Sequence, residues 1–282
     1  MPVSPLPRHI VTEAVTRALA EDQGGRGDVT SLACIPETQE EKFYFVARQA
    51  GVICGLEPAV EAVWQMDPDA LVNVQLRDGS DVKAGEVIAA VNGQARALLA
   101  AERIALNFLG RMSGIASLTR QYVEAVAGTG ARIAHTRKTT PGLRAFELQA
   151  VQAGGGALHR YGLDDAILIK DNHVAVCGGV AAAVNAARAH ASHMTRIAVE
   201  VDRLDQLDDA IKAGAESVLL DNFPLDDLKA AVAQAKGTVT LEASGGINLD
   251  TVRAVAETGV DVISVGALTH SAPNFDIGLD AA

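Results

Sequence analysis

The chain has 282 residues, 49% of them hydrophobic and 21% charged, which supplies enough apolar material for a buried core and excludes whole-chain disorder. Twenty-four basic and 35 acidic residues give a formal net charge of −11, which argues against general binding to nucleic acid or anionic membranes. No apolar run reaches the roughly 20 residues of a membrane span, and the proline-punctuated N-terminus has no secretory h-region. Three cysteines, Cys34, Cys54 and Cys177, are odd in number and make no CxxC pair, so neither a disulfide framework nor a zinc site is expected and a reducing cytoplasm fits.

In chain order, residues 10–19 read as a helix, and 43–47 and 72–76 as strands. Asp78-Gly79 is a hairpin-type turn signal, and 82–88 continues the β layer. Residues 95–118 form an Ala/Leu-rich helical pattern with Leu98, Glu102, Ala105 and Leu109 along one face. This first part reads as an α+β domain. From Arg132 the rhythm changes. Six short apolar runs (132–135, 166–169, 197–201, 217–220, 238–241 and 260–265) alternate with turns and amphipathic segments, the pattern of parallel strands with crossover helices. Pro224 is expected at a first helical position and Asn248 at an N-cap. An α/β barrel and an open doubly wound sheet both fit, but no G-x-G-x-x-G follows a first strand, which weakens the dinucleotide-binding version.

Each run closes on polar chemistry: Arg137-Lys138, Lys170-Asp171, Glu200, Asp221, Glu242 and Ser264. Charges often end strands simply because chains surface there. Six in succession point instead to the C-terminal face of a barrel, where active sites form. Residues 132–173 carry a net charge of +2 inside this acidic chain, so the attraction is local and suits a small anion. Ser244-Gly245-Gly246 and Ser264-Val265-Gly266 are turns whose backbone N–H groups could hold a phosphate. Taken alone, Lys170 on a barrel strand would also fit a Schiff-base aldolase.

Longer blocks carry a family likeness. Thr136-Arg137-Lys138-Thr139-Thr140-Pro141-Gly142-Leu143-Arg144, Gly154 to Leu163 with its His159-Arg160 pair, and Leu168-Ile169-Lys170-Asp171-Asn172-His173 resemble the signature of the quinolinate phosphoribosyltransferase family. So do Val199-Glu200-Val201, Leu220-Asp221-Asn222, Glu242 to Ile247 and Ser264 to Ser271, with Gly27 to Ser31 and Glu102 to Phe108 in the first half. The resemblance implies an N-terminal α/β sandwich over 1–114, a catalytic incomplete barrel of about six strands over 115–270, and a tail, 271–282, packed back on the first domain. It implies phosphoribosyl transfer from phosphoribosyl pyrophosphate to quinolinate with decarboxylation. It further implies that Arg103, Arg137, His159, Arg160 and Lys170 hold the quinolinate carboxylates, with Arg103 reaching into a neighbour's site across a homodimer. Lys138 would neutralise pyrophosphate, while Glu200 and Asp221 would face the ribose and a substrate-borne Mg²⁺. Thr136, Ser244, Gly245, Gly246, Ser264, Val265 and Gly266 would complete the substrate contacts. A relative that binds anions without turning them over is the non-catalytic alternative.

Overall fold

The computed structural model describes residues 3–282. The chain divides into two compact units, one built from residues through Arg120, Thr140–Gly155 and Ala272–Ala282, the other from Gln121–Thr139 and Gly156–Ser271.

The first unit begins with α1 (Arg8–Gln23), α2 (Val29–Cys34), β1 (Glu40–Ala47), β2 (Gly51–Val52), α3 (Leu56–Met66), β3 (Leu71–Val74), β4 (Asp81–Val82), β5 (Val87–Gln94) and most of α4 (Ala95–Ala125). After β6 (Arg132–Ala134) of the other unit it regains the chain as α5 (Arg144–Ala153). Val11, Val15 and Leu19 recur at helical spacing, so α1 buries one stripe. On α4 the same spacing buries Leu98, Ala101, Ala105, Leu109 and Met112. Gly27-Asp28-Val29-Thr30-Ser31 is a helix start: the Asp28 carboxylate accepts the backbone N–H groups of Thr30 and Ser31 and the Ser31 hydroxyl. Those bonds, led by the one from the Ser31 hydroxyl, hold the Asp28 carboxyl below its ordinary range.

The turn at Asp78-Gly79 does not close a hairpin. The strand before it, β3, pairs with β5, and the strand after it, β4, pairs with β2. Asp78 is drawn off to the start of α3, where its Oδ1 accepts the Leu56 N–H at 3.2 Å, and burial pushes its carboxyl up. Gly154 is required for packing rather than flexibility: a Cβ there would lie 2.4 Å from the Ala116 carbonyl oxygen of α4.

An ion pair with a fully buried carboxylate lies inside this unit. The Glu147 carboxylate of α5 accepts from Arg111 Nε and Nη2 at 3.1 and 2.6 Å, and from Thr140 N and Oγ1 at 3.0 and 2.7 Å. The side chain of Glu147 is 0% exposed. Arg111→Met strips a buried carboxylate of its cation, a loss of about 3 kcal/mol that lowers the melting temperature by roughly 6–12 °C in a scanning calorimeter.

The second unit continues with β7 (Ile167–Ile169), α6 (Asp171–Cys177), α7 (Val180–His190), β8 (Ile197–Val201), α8 (Leu204–Lys212), β9 (Ser217–Asp221), α9 (Leu225–Ala235), β10 (Thr240–Ser244), α10 (Val252–Ala256), β11 (Val262–Ser264) and α11 (Ala267–His270). The chain ends, back in the first unit, with β12 (Ile277–Ala281). The first unit's main sheet is antiparallel in the order β12-β1-β5-β3.

The second unit's sheet is parallel, with strand order β6-β11-β10-β9-β8-β7. Consecutive strands from β7 to β11 are neighbours, and β6 lies beyond β11. This is the order of a ring left open between β6 and β7. At the gap Ala157 bridges to Ala134, its N–H donating to the Ile133 carbonyl at 2.7 Å. The sequence therefore folds as an α/β sandwich followed by an incomplete barrel of six parallel strands.

Local departures from the sequence reading have local causes. The fifth barrel strand starts two residues later and runs to Ser244, which sets Glu242 within the strand instead of at its end. Pro224 occupies the N-cap of α9, one position before the first helical residue. Asn248 Oδ1 caps a turn, accepting from Asp250 N and Thr251 N, and α10 begins only at Val252.

Candidate active site

Side chains on a strand alternate between faces, so the inward positions of a barrel recur every two residues. That period selects Leu168 on β7 and Lys170 just past it, Glu200 on β8, Leu219 and Asp221 on β9, Glu242 and Ser244 on β10, and Ser264 on β11. These residues line one cavity of about 620 Å³ with Thr136, Arg137, Lys138, His159, Arg160, Asn222, Gly245 and Gly246. The volume lies within the range of small-ligand sites.

The cavity is crowded with cations. Lys170 Nζ donates to Glu200 Oε2 at 2.8 Å. Arg160 Nη1 donates to the Ala166 carbonyl at 3.1 Å, but its Nε and that of Arg137 are buried with no hydrogen-bond partner. Burial, then the nearby Arg137 guanidinium, pulls Arg160 below the ordinary arginine value. Buried polar atoms are normally paired, and two adjacent guanidinium groups repel. Both costs are relieved by an anion that accepts from both.

Two histidines, His135 and His159, are tied to the backbone through their ring nitrogens. His159 Nδ1 accepts the Arg160 N–H at 2.7 Å, which leaves the proton on Nε2. His135 Nε2 accepts the His159 N–H at 3.0 Å. Nε2 of His159 lies 3.4 Å from Glu242 Oε1, which is buried and makes no hydrogen bond. The loop after β6 is pinned as well. Lys138 N donates to Thr136 Oγ1 at 3.1 Å, and the Thr269 hydroxyl donates to the Lys138 carbonyl at 2.8 Å.

Of the residues singled out by sequence, Thr136, Arg137, Lys138, His159, Arg160, Lys170, Glu200, Asp221, Ser244, Gly245, Gly246 and Ser264 come together around this cavity. Val265 is buried beside it, with its N–H on the Ala134 carbonyl. Gly266 backs the wall: a Cβ there would lie 3.2 Å from Lys138 Cδ, so its smallness leaves room for the lysine. Arg103 is not among the lining residues. It is exposed on α4, in the first unit. Sequence reading missed Leu168, Leu219, Asn222 and, as a lining residue, Glu242. A strict two-residue period counted through each strand recovers Leu168, Leu219 and Glu242.

Comparison with known proteins bears on the same residues. The profile described as quinolinate phosphoribosyl transferase, C-terminal domain, matches residues 115–280, and that of the N-terminal domain matches 28–113. The chain belongs to the quinolinate phosphoribosyl transferase family. It is 44% identical over 274 residues to the nicotinate-nucleotide pyrophosphorylase [carboxylating] of Mycobacterium leprae, covering 95% of this chain and 96% of the relative. It is 43% identical over 256 residues to the probable enzyme of the same name from Bacillus subtilis, covering 91% and 88%. The solved nicotinate-nucleotide pyrophosphorylase of Francisella tularensis superposes with a TM-score of 0.95 at 38% identity, covering 100% of this chain and 99% of that one. The one from Ehrlichia chaffeensis gives 0.91 at 38% identity, covering 96% and 98%. Family membership sets aside the Schiff-base aldolase reading of Lys170.

Proposed function

We propose that this chain transfers the phosphoribosyl group of phosphoribosyl pyrophosphate to the ring nitrogen of quinolinate and decarboxylates the adduct. The products are nicotinate mononucleotide, pyrophosphate and CO₂, a step of NAD biosynthesis. The observation that carries the reading is the pair of unsatisfied guanidinium Nε atoms, Arg137 and Arg160, in a cavity that also holds Lys138 and Lys170. A doubly acidic ring gives the two guanidinium groups what the protein does not.

Arg137, Arg160, Lys170 and the Nε2–H of His159 hold the two carboxylates and orient the ring nitrogen. Lys138 neutralises the leaving pyrophosphate. Glu200 and Asp221 face the ribosyl group, where positive charge grows as the C1–O bond breaks, and stabilise it electrostatically. The turns Ser244-Gly245-Gly246 and Ser264-Val265-Gly266 offer backbone N–H groups to phosphate oxygens.

Among the described residues no cluster of three or more His, Cys, Asp or Glu forms a metal cage. Glu200 and Asp221 line the same cavity, and two carboxylates are the donor set expected for Mg²⁺ that arrives on a phosphorylated substrate and keeps several waters. Bound there, the ion would screen the pyrophosphate charge.

Arg103 belongs, in this reading, to the partner's site of a homodimer. It is exposed on α4, without a hydrogen bond or ion pair among the described residues. No helix among them is long and apolar enough to cross a membrane, and the expected setting is the cytoplasm.

Carboxyl-labelled quinolinate, phosphoribosyl pyrophosphate and Mg²⁺ should yield labelled CO₂ and nicotinate mononucleotide in equal amounts. Chelation with EDTA should stop both, and added Mg²⁺ should restore them. Ligand binding without pyrophosphate release would overturn the reading in favour of an anion-binding protein.

A further inference from the structure

Asn222 is one of two non-glycine residues with a positive φ among the described residues, at 56°, and the only one of the two that lines the cavity. Asparagine tolerates this left-handed conformation better than most residues, yet the position is still uncommon enough to need a reason. Three contacts supply one. The backbone N–H of Asn222 donates to the Ser244 carbonyl at 2.8 Å, so the end of β9 is tied to the end of β10. The side-chain Nδ2 donates to Asp221 Oδ2 at 2.9 Å. The side-chain Oδ1 rests where a Cβ on residue 245 would lie 2.1 Å away, so the amide fits only against a glycine.

Left-handed backbone at 222 turns the side chain back along its own chain, and the glycine opposite leaves it room. The result is an amide wedged between the carboxylate of Asp221 and the Ser244-Gly245-Gly246 turn.

We propose that Asn222 is a positioning residue for phosphoribosyl transfer. It fixes one oxygen of the Asp221 carboxylate, leaves the other free for the ribosyl end of the substrate, and sets that carboxylate in register with the phosphate-binding turn. The role rests on the function proposed above and adds a residue to it. Asn222 acts through Asp221 and does not itself need to touch the substrate. A misplacement of about 1 Å at such a group can cost ~10²-fold in rate.

Two readings of Asn222 compete. In one only its backbone turn matters. In the other the amide matters too. Glycine adopts the same φ without strain but has no amide, so Asn222→Gly separates them. The expected result is a fall of ~10–100-fold in kcat/KM for phosphoribosyl pyrophosphate, with the dissociation constant of quinolinate within about twofold of wild type. The melting temperature should change little. Asn222→Ala should show the same kinetic loss and, because alanine is strained at this φ, a lower melting temperature than the glycine variant. If Asn222→Ala does not fold, the glycine variant decides alone.

An Asn222→Gly enzyme that keeps its kcat/KM for phosphoribosyl pyrophosphate within about twofold overturns the proposal, since the turn alone would then suffice. Loss of quinolinate affinity in parallel with the other substrate also overturns it, because that marks a collapsed loop. Both outcomes presuppose an active wild type. A wild type that releases no pyrophosphate from the two substrates would instead sink the proposed function.

Discussion

Lys170→Ala should lower kcat/KM for quinolinate by ~10³-fold while the protein remains folded. Removing one partner of a charged hydrogen-bonded contact costs about 2–5 kcal/mol, and in this site two charges lose their partner at once. One, on the function proposed above, is the substrate carboxylate. The other is Glu200, whose side chain is 14% exposed and whose Oε2 accepts from Lys170 Nζ at 2.8 Å. The lysine side chain is 49% exposed, so the fold itself depends little on it. Circular dichroism and the melting curve should stay near wild type, and steady-state kinetics with quinolinate varied should carry the whole effect. A variant within tenfold of wild type would remove Lys170 from the site. Lys170→Arg should recover only part of the loss, because a planar fork cannot reproduce a compact ammonium at one fixed point.

Mixing two dead proteins should give a live one. Arg103→Ala and Lys170→Ala protomers, each inactive alone, are expected to regain about a quarter of wild-type activity after unfolding and refolding together. The figure follows from symmetry. In a two-fold dimer with a shared site, random pairing makes about half the dimers mixed, and each mixed dimer has one site with neither substitution. Differently tagged protomers allow the mixed species to be purified, and its activity should then be about half that of wild type. No activity in purified mixed dimers would assign Arg103 to its own subunit's site or to none.

Much of this architecture is legible in the sequence, for reasons that differ from element to element. The barrel strands are short apolar runs separated by amphipathic helices, a pattern that survives because each strand faces helices outside and neighbours inside. The cavity is legible because charges interrupt those runs: Lys170, Glu200 and Asp221 stand at the mouth of apolar stretches, and Arg137 and Lys138 follow the first of them. Glu242 was visible as a charge, but its depth was not. The extent of β10 is set by pairing with β9 and β11, and Glu242 lies opposite Leu219 and Val262 in that ladder. Asp78-Gly79 misled for a similar reason. The dipeptide does turn the chain, but the carboxylate of Asp78 finds the start of α3, and no local pattern announces that distant partner. The left-handed backbone of Asn222 is likewise invisible until the next strand supplies Ser244 and Gly245.

The pairing of β1 with β12 has a consequence for how the molecule is made. Phe43 and Ala281 are register partners, although nearly the whole polypeptide lies between them. A ribosome therefore releases β1 long before the strand that covers its edge exists. Until β12 emerges, that edge is a row of unpaired amides open to any other extended chain. Closing so long a loop makes this pairing slow, and a nascent chain stalled or clipped before β12 would be left sticky.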